Sequence, residues 1–388
     1  MTGRTDLTSA SAFASGGMVP HHRAEGPVSA PALLLGPSLG TSTALWDQVA
    51  PELSVTHRVV RWDLPGHGGS PAGLIGPGAT VGDLATLVLA LAGSLGIDRF
   101  SYAGVSLGGA VGLHLAVHHP DRVEKLAVIC SSAHFDGSKP WRERAARVRA
   151  GGLAELAGSA DSRWFTSGFT VARLVEDHRT ADPDAYAACC DALAGFDLRG
   201  RLSRIVAPTL LVAGREDPAT PPAHLREIAD AVAGAALVEI PGASHLAPAE
   251  RPRAVLTALR AHFDGVAGHG TKVRRQVLGD EHVDRAQARQ SAFTARFQDF
   301  VSRYAWGEIW TDETLDRRER SMITMTALVA HGHYDELAMH VRAARRNGLT
   351  PEEIGAVLLQ SAVYCGVPAA NAAFAVAQRV LAEEEHTG

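Results

Sequence analysis

Between residues 19 and about 130, short apolar runs alternate with amphipathic stretches. Ala32–Leu35 (ALLL), His57–Trp62 (HRVVRW), Phe100–Ala103 (FSYA) and Lys125–Ile129 (KLAVI) are continuous enough to predict strands buried on both faces. Thr80–Leu95 and Gly108–His118 carry a helical pattern between them. Strands alternating with helices predict an α/β fold, a mostly parallel sheet covered on both sides. Residues 135–200 break this rhythm: rich in Arg, Ala and Trp, they read as a helical cap inserted over the carboxyl ends of the strands. The strand pattern returns at Thr209–Ala213 (TLLVA) and Ala236–Ile240 (ALVEI), and a helix follows over Pro252–Phe263.

The period then changes. DGVAGHGTK has three glycines and no repeat, so residues 266–272 read as a linker between a first domain at 19–265 and a second at 273–388. The second domain reads as all-α, with helices over Glu281–Tyr304, Asp316–His331, Tyr334–Asn347, Pro351–Tyr364 and Pro368–Glu385. Two of its ends are marked: Asn347-Gly348 stops one helix, and Thr350-Pro351 begins the next with an N-cap and a proline at the first helical position. Residues 1–18, small and polar, read as a flexible leader.

Composition narrows the function classes. A formal net charge of −5 over 388 residues gives no overall field toward nucleic acid or anionic membrane, and the arginines are scattered rather than striped. Any anionic ligand must be held by local guanidinium groups. The four cysteines (130, 189, 190, 365) include no C-x-x-C, so neither a disulfide framework nor a zinc knuckle is expected, and a cytoplasmic setting is. No apolar run is long enough to span a bilayer.

The chemistry of the first domain is carried by Gly104-Val105-Ser106-Leu107-Gly108, placed after one predicted strand and before a helix. Glycines two before and two after the serine permit the sharp turn that lifts a hydroxyl into the open. Asp217 follows the TLLVA strand and His245 the ALVEI strand, so Ser, Asp and His occur in the chain order of α/β-hydrolases. A serine hydroxyl needs a base, here His245, and that base needs an orienting carboxylate. Glu216 is adjacent to Asp217, and Pro218 after the pair favours Asp217 at the turn. The oxyanion requires two backbone N–H donors, for which Leu107 and Leu39 are placed, the latter in Gly36-Pro37-Ser38-Leu39-Gly40. Asp63-Leu64-Pro65-Gly66-His67-Gly68-Gly69-Ser70 resembles the D-x-P-G-H-G-x-S turn of the α/β-hydrolase superfamily, in which His67 is structural.

Leu39-Gly40-Thr41-Ser42, Trp46-Asp47, and the stretch from Trp141-Arg142 to Arg163-Trp164-Phe165-Thr166 resemble the 3-oxoadipate enol-lactonases over residues 18–265. The resemblance implies hydrolysis of a small enol lactone bearing an acetate arm. Arg142 and Arg163, with Trp141 and Trp164 as an aromatic wall, are the cap residues suited to such an anion.

The second domain is similar to carboxymuconolactone decarboxylases. The matching residues are Lys272 to Arg275, Val277 to Asp280, Tyr304 to Gly307, Arg317 to Ser321, His331 to His333, and His340 to Gly348. The dithiol of a related disulfide-reducing branch is missing, since His333 and Glu336 stand in its place. The resemblance implies a cofactor-free decarboxylation in which the unsaturated lactone is its own electron sink. His340 is the candidate proton donor, Arg320 and Arg342 are candidate carboxylate ligands, and Glu308 or Glu336 is a candidate orienting acid. His333, Glu336 and His340 share a helix face, but the spacing is not that of a zinc helix, so no metal is expected.

Together the resemblances imply a bifunctional enzyme of protocatechuate catabolism whose partners are small anionic lactones and copies of itself. Ala-rich faces such as Ala369–Ala377 are expected to associate. Two other readings remain open. One is a hydrolase of another small ester or lactone with a helical oligomerisation domain; the other is a small-molecule receptor, against which the intact triad stands.

Overall fold

The computed structural model describes residues 19–385 apart from 159, 265 and 313, and the leader expected at 1–18 lies outside the described residues. The chain divides into two compact units at Leu259/Arg260.

The first unit is built on a seven-stranded sheet: β1 (His22–Glu25), β2 (Ala32–Gly36), β3 (Arg58–Trp62), β4 (Phe100–Val105), β5 (Val123–Ile129), β6 (Thr209–Gly214) and β7 (Ala236–Ile240). Their order is β1-β3-β2-β4-β5-β6-β7, with β1 antiparallel to β3 and the remaining pairs parallel. All six residues of β4 and of β6 are buried, as continuous apolar runs in a covered parallel sheet require. β1 escapes the sequence reading because it is a short, charged edge strand (HRAE) with no apolar signal.

The chain leaves β2 for β3 on one side and returns to β4 on the other. The crevice between the carboxyl ends of β2 and β4 is therefore a topological switch point, where open α/β sheets bind ligands. Gly36 pairs with Gly104 there, bringing the loop after β2 beside the turn after β4. The insertion expected at 135–200 is helical, with its main helices at Ser138–Gly151, Ala172–Thr180 and Pro183–Ala194.

The second unit is helical throughout its described residues, and its boundaries follow local capping chemistry. Asp316 with Glu319 and Thr350 with Glu353 form capping boxes at Arg317–His331 and Pro351–Cys365, and Gly332 closes the first of these in the left-handed conformation (φ 68°). Met325, Val329, Leu337, Val341, Ile354 and Val380 make its core.

Three expectations for this unit need correcting. Gly268 and Gly270, within the stretch 266–272 read as a linker, lie in a helix, Val266–Leu278. A Cβ on Gly270 would stand 1.7 Å from the Ser302 carbonyl oxygen, so glycine permits close helix packing there rather than a flexible link. The helix expected over 281–304 is interrupted. It runs as Asp280–Ala288 and Ala292–Val301, separated where Ser291 exchanges hydrogen bonds with Thr294, and then widens into a π-helical segment at Ser302–Ile309. The Ala-rich face of the last helix is not free either: Ala370, Ala373 and Ala377 are buried within the unit. Its exposed apolar side chains are others, among them Ile323, Leu359, Val363, Tyr364 and Val367.

Candidate active sites

Ser106 sits at φ 55°, ψ −115°, a strained conformation for a residue with a side chain, between β4 and the helix Leu107–His118. Its surroundings hold it there. Ser106 N–H donates to Ile129 O (3.0 Å), Ser131 Oγ donates to Ser106 O (2.7 Å) and Gly108 N–H donates to Pro37 O (3.0 Å). A Cβ on Gly104 would lie 2.2 Å from Gly108 O, and one on Gly108 would lie 2.6 Å from Pro37 O, so neither glycine is replaceable without moving backbone. The N–H groups of Leu39 and Leu107 have no acceptor among the described residues, leaving both for an oxyanion.

Asp217 and His245 converge from the ends of β6 and β7. His245 Nδ1–H donates to Asp217 Oδ2 (2.9 Å), which leaves Nε2 as the basic nitrogen. Thr220, which the sequence did not single out, completes the carboxylate. Its hydroxyl donates to Oδ2 (2.8 Å), and its N–H and that of Ala219 donate to Oδ1 (3.0 and 2.8 Å). Burial alone would raise the Asp217 carboxyl, but His245 and the Thr220 donors outweigh it and hold it below its ordinary value. Glu216 has no such role, as only its backbone enters this network.

Ser106, His245, Thr220 and Leu39 face a cavity of about 50 Å³ roofed by the cap. Ser106 and His245 share it without a hydrogen bond between them, a looseness usual before substrate closes the site. The cap contributes Trp141, Arg144, Arg163, Trp164 and Tyr186, and a wider mouth of about 370 Å³ shares Trp141, Arg144 and Arg163 with it. Trp141, Arg163 and Trp164 thus stand where the sequence placed them. Arg142 does not: it is exposed, and Arg144 takes its place. The reason is helical register. Trp141, Arg144, Ala145 and Val148 lie at i, i+3, i+4 and i+7 on the inward face, a signal already present in the sequence.

Arg144 lies over Trp141 (5.4 Å) and Tyr186 (5.5 Å), and its Nε is buried without an acceptor. Among the described residues Arg163 reaches only the Leu156 carbonyl (3.2 Å). Among the described residues neither guanidinium has a carboxylate partner, and burial followed by Arg144 pushes Arg163 down. Two half-buried cations beside one cavity lack only an anion. Glu250, buried and also unforeseen, clamps this cap to the histidine loop, accepting from Thr166 N–H (2.9 Å) and Ser244 N–H (2.7 Å). His67 is structural as expected: buried, it donates to Pro65 O (2.8 Å) and stacks on Tyr186.

In the helical unit, His340 is buried between helices. Its ring stacks on Trp310, the residue that follows the π-helical segment (6.4 Å), and its Nδ1 has no partner among the described residues. Burial, then His282, push it down to about 4, with Glu336 opposing, so it is neutral near pH 7. Glu336 is exposed but within electrostatic reach, while Glu308 is exposed on the π-helical segment. Arg320 and Arg342 are already engaged, by Asp312 (3.2 Å) and Glu383 (2.6 Å). His333 caps its helix on the surface, away from the buried His340, and no group of three metal-ligating side chains forms among the described residues. No described helix is long and apolar enough to cross a membrane.

Comparison with known proteins agrees with both halves. The alpha/beta hydrolase family matches residues 33–258, and the carboxymuconolactone decarboxylase family matches 295–379. The chain is 35% identical to 3-oxoadipate enol-lactonase 2 of Acinetobacter baylyi over 242 residues, 61% of this chain and 90% of that protein. It is 44% identical to 4-carboxymuconolactone decarboxylase of the same organism over 111 residues, 29% of this chain and 83% of that protein. The crystal structure of the enol-lactonase from Burkholderia xenovorans LB400 superposes with a TM-score of 0.60 at 35% identity, covering 62% of this chain and 94% of that one. Strand order, nucleophile turn and these matches lead to one assignment: the chain is a member of the alpha/beta hydrolase family fused to a member of the carboxymuconolactone decarboxylase family.

Proposed function

We propose that the chain performs two consecutive steps of protocatechuate breakdown by the β-ketoadipate pathway. The helical unit decarboxylates 4-carboxymuconolactone to 3-oxoadipate enol-lactone, and the hydrolase unit opens that lactone to 3-oxoadipate. The observation that carries this reading is the presence in one polypeptide of two units whose relatives are named for the decarboxylase and the lactonase, the product of one being the substrate of the other.

In the hydrolase unit, Ser106 Oγ attacks the lactone carbonyl while His245 Nε2 takes its proton, and Asp217 steadies the resulting imidazolium. Leu39 and Leu107 N–H groups receive the oxyanion. When the ring C–O bond breaks, the enolate takes the proton from His245 and tautomerises to the ketone, so reversal is suppressed. Water, activated by His245, then releases Ser106. Arg144 and Arg163 are the groups that hold the acetate arm, because its carboxylate supplies the counter-ion they lack.

In the helical unit, the electrons left by CO₂ flow through the ring double bond to the lactone oxygen. A proton added next to the carbonyl then gives the enol lactone. His340 is the proton donor in this reading. Neutral in the free protein, it becomes imidazolium when an anionic substrate beside it raises its pKa. The exposed Ile323, Leu359, Val363 and Tyr364 favour self-association of this unit, and sedimentation at several concentrations tests that.

Two variants test the division of labour. Ser106→Ala should release CO₂ at the wild-type rate and accumulate the enol lactone. His340→Gln should hydrolyse supplied enol lactone normally while losing CO₂ release by about 10²-fold or more. A folded single variant that loses both activities would contradict two independent sites.

A further inference from the structure

The helical unit contains a cavity of about 210 Å³ that the reading above leaves unused. Helices Val266–Leu278, Asp280–Ala288 and Ala292–Val301 enclose it, with Ser302 at the start of the π-helical segment. Its polar lining is Arg274, the carboxamides of Gln287, Gln290 and Gln298, and the hydroxyl residues Thr271 and Ser302. Among the described residues no carboxylate lines it.

Arg274 differs from four arginines of the same unit. Arg275 pairs with Asp280 and Asp284, Arg318 with Glu353, Arg320 with Asp312 and Arg342 with Glu383. Arg274 has no acidic partner among the described residues. Its Nη1 donates to Gln298 Oε1 (3.0 Å), and its Nε is buried with no acceptor. Burial pushes this guanidinium down, which is the sign of a charge removed from water without compensation. A cation in that state, opening onto a cavity rimmed with amide donors, is built for an anion.

We propose that this cavity is the site where the helical unit anchors the carboxylate that its substrate keeps, with Arg274 as the residue that binds it. The proposal rests on the decarboxylase reading and adds the position and identity of the anchor, Arg320 and Arg342 each having a carboxylate partner in Asp312 and Glu383. The chemistry selects which carboxylate is held. The departing one loses its charge as it becomes CO₂, so a guanidinium on it would stabilise the reactant more than the transition state and slow the reaction. The acetate arm keeps its charge throughout, and a cation there binds reactant and transition state alike. His282 lies within electrostatic reach of both Arg274 and His340.

The test is steady-state CO₂ release from 4-carboxymuconolactone and from its derivative methyl-esterified on the acetate arm. Wild type is measured first, because absence of CO₂ there removes the decarboxylase reading itself. Given activity, Arg274→Gln should raise KM for the free acid about 10–100-fold with kcat changed far less, and Arg274→Lys should recover part of it. On the ester, wild type and Arg274→Gln should be equally poor, since the carboxylate and its anchor are one interaction. Enol-lactone hydrolysis serves as the control and should not change. Should Arg274→Gln fail to fold, Arg274→Lys and Gln287→Met carry the test, each raising KM several-fold for the acid and not for the ester. An unchanged KM in folded variants, or losses on acid and ester that simply add, would overturn the anchor while leaving the decarboxylase reading intact.

Discussion

Replacing Arg144 by Gln removes one of the two unpaired guanidiniums beside Ser106 and leaves the shape of the cap nearly unchanged. The loss follows from the contacts. A charge-assisted hydrogen bond to a carboxylate contributes about 1.5–3 kcal/mol, and Arg163 remains to hold the substrate, so about 2 kcal/mol is expected. At about 1.4 kcal/mol per factor of ten this is roughly 30-fold in kcat/KM. It should fall on KM, because the acetate arm carries the same charge before and during acyl transfer. Folding stability should change little. The variant loses contacts with Trp141 and Tyr186, about 0.5–1 kcal/mol each, and gains relief of the repulsion that pushes Arg163 down. The assay compares 3-oxoadipate enol-lactone with an uncharged enol lactone such as α-angelica lactone. The anionic substrate should lose about 30-fold while the neutral one is unaffected. Equal losses on both, or none on the anionic lactone, would refute an anion site at Arg144.

Further expectations concern the triad, acid stability and helix packing. Asp217→Asn keeps the Thr220 contacts in shape but loses the charge and the tautomer control on His245, so ring opening should slow by about 10³–10⁴ while CO₂ release persists; a loss under tenfold would remove Asp217 from the triad. Burial pushes His178 down to about 3 and His340 to about 4, so below the ordinary histidine value of about 6.5 the unfolded chain binds protons that the folded chain refuses. Urea midpoints should therefore hold above pH 6.5 and fall steadily toward pH 4, whereas a flat profile would contradict neutral burial. Gly270→Ala forces a Cβ against the Ser302 carbonyl and should destabilise the helical unit by at least about 1–3 kcal/mol, seen as a lowered melting transition that leaves lactone hydrolysis intact.

What was legible in the sequence is what local pattern encodes. Buried parallel strands are continuous apolar runs, so Thr209–Gly214 and Ala236–Ile240 were visible within one residue at each end. The nucleophile turn was visible because glycine is required on both sides of Ser106 by contacts of 2.2 and 2.6 Å. What was hidden depends on partners distant in the chain. Arg320 and Arg342 look like free cations until Asp312 and Glu383 fold onto them, and Arg274 looks ordinary until no acid arrives. Gly270 reads as a linker because the carbonyl it must approach belongs to Ser302, 32 positions on (302 − 270). Arg144 lies three residues from Trp141 on the cap helix, a spacing legible in the sequence, whereas the family resemblance points to its exposed neighbour Arg142.

The measurement that bears most directly on the central claim gives the purified wild-type chain 4-carboxymuconolactone as sole substrate and follows the products by NMR. Two sites acting in sequence predict one CO₂ and one 3-oxoadipate per lactone consumed, with the enol lactone only transient. CO₂ release no faster than the uncatalysed rate, in a chain that still opens the enol lactone, would contradict the fusion of two activities.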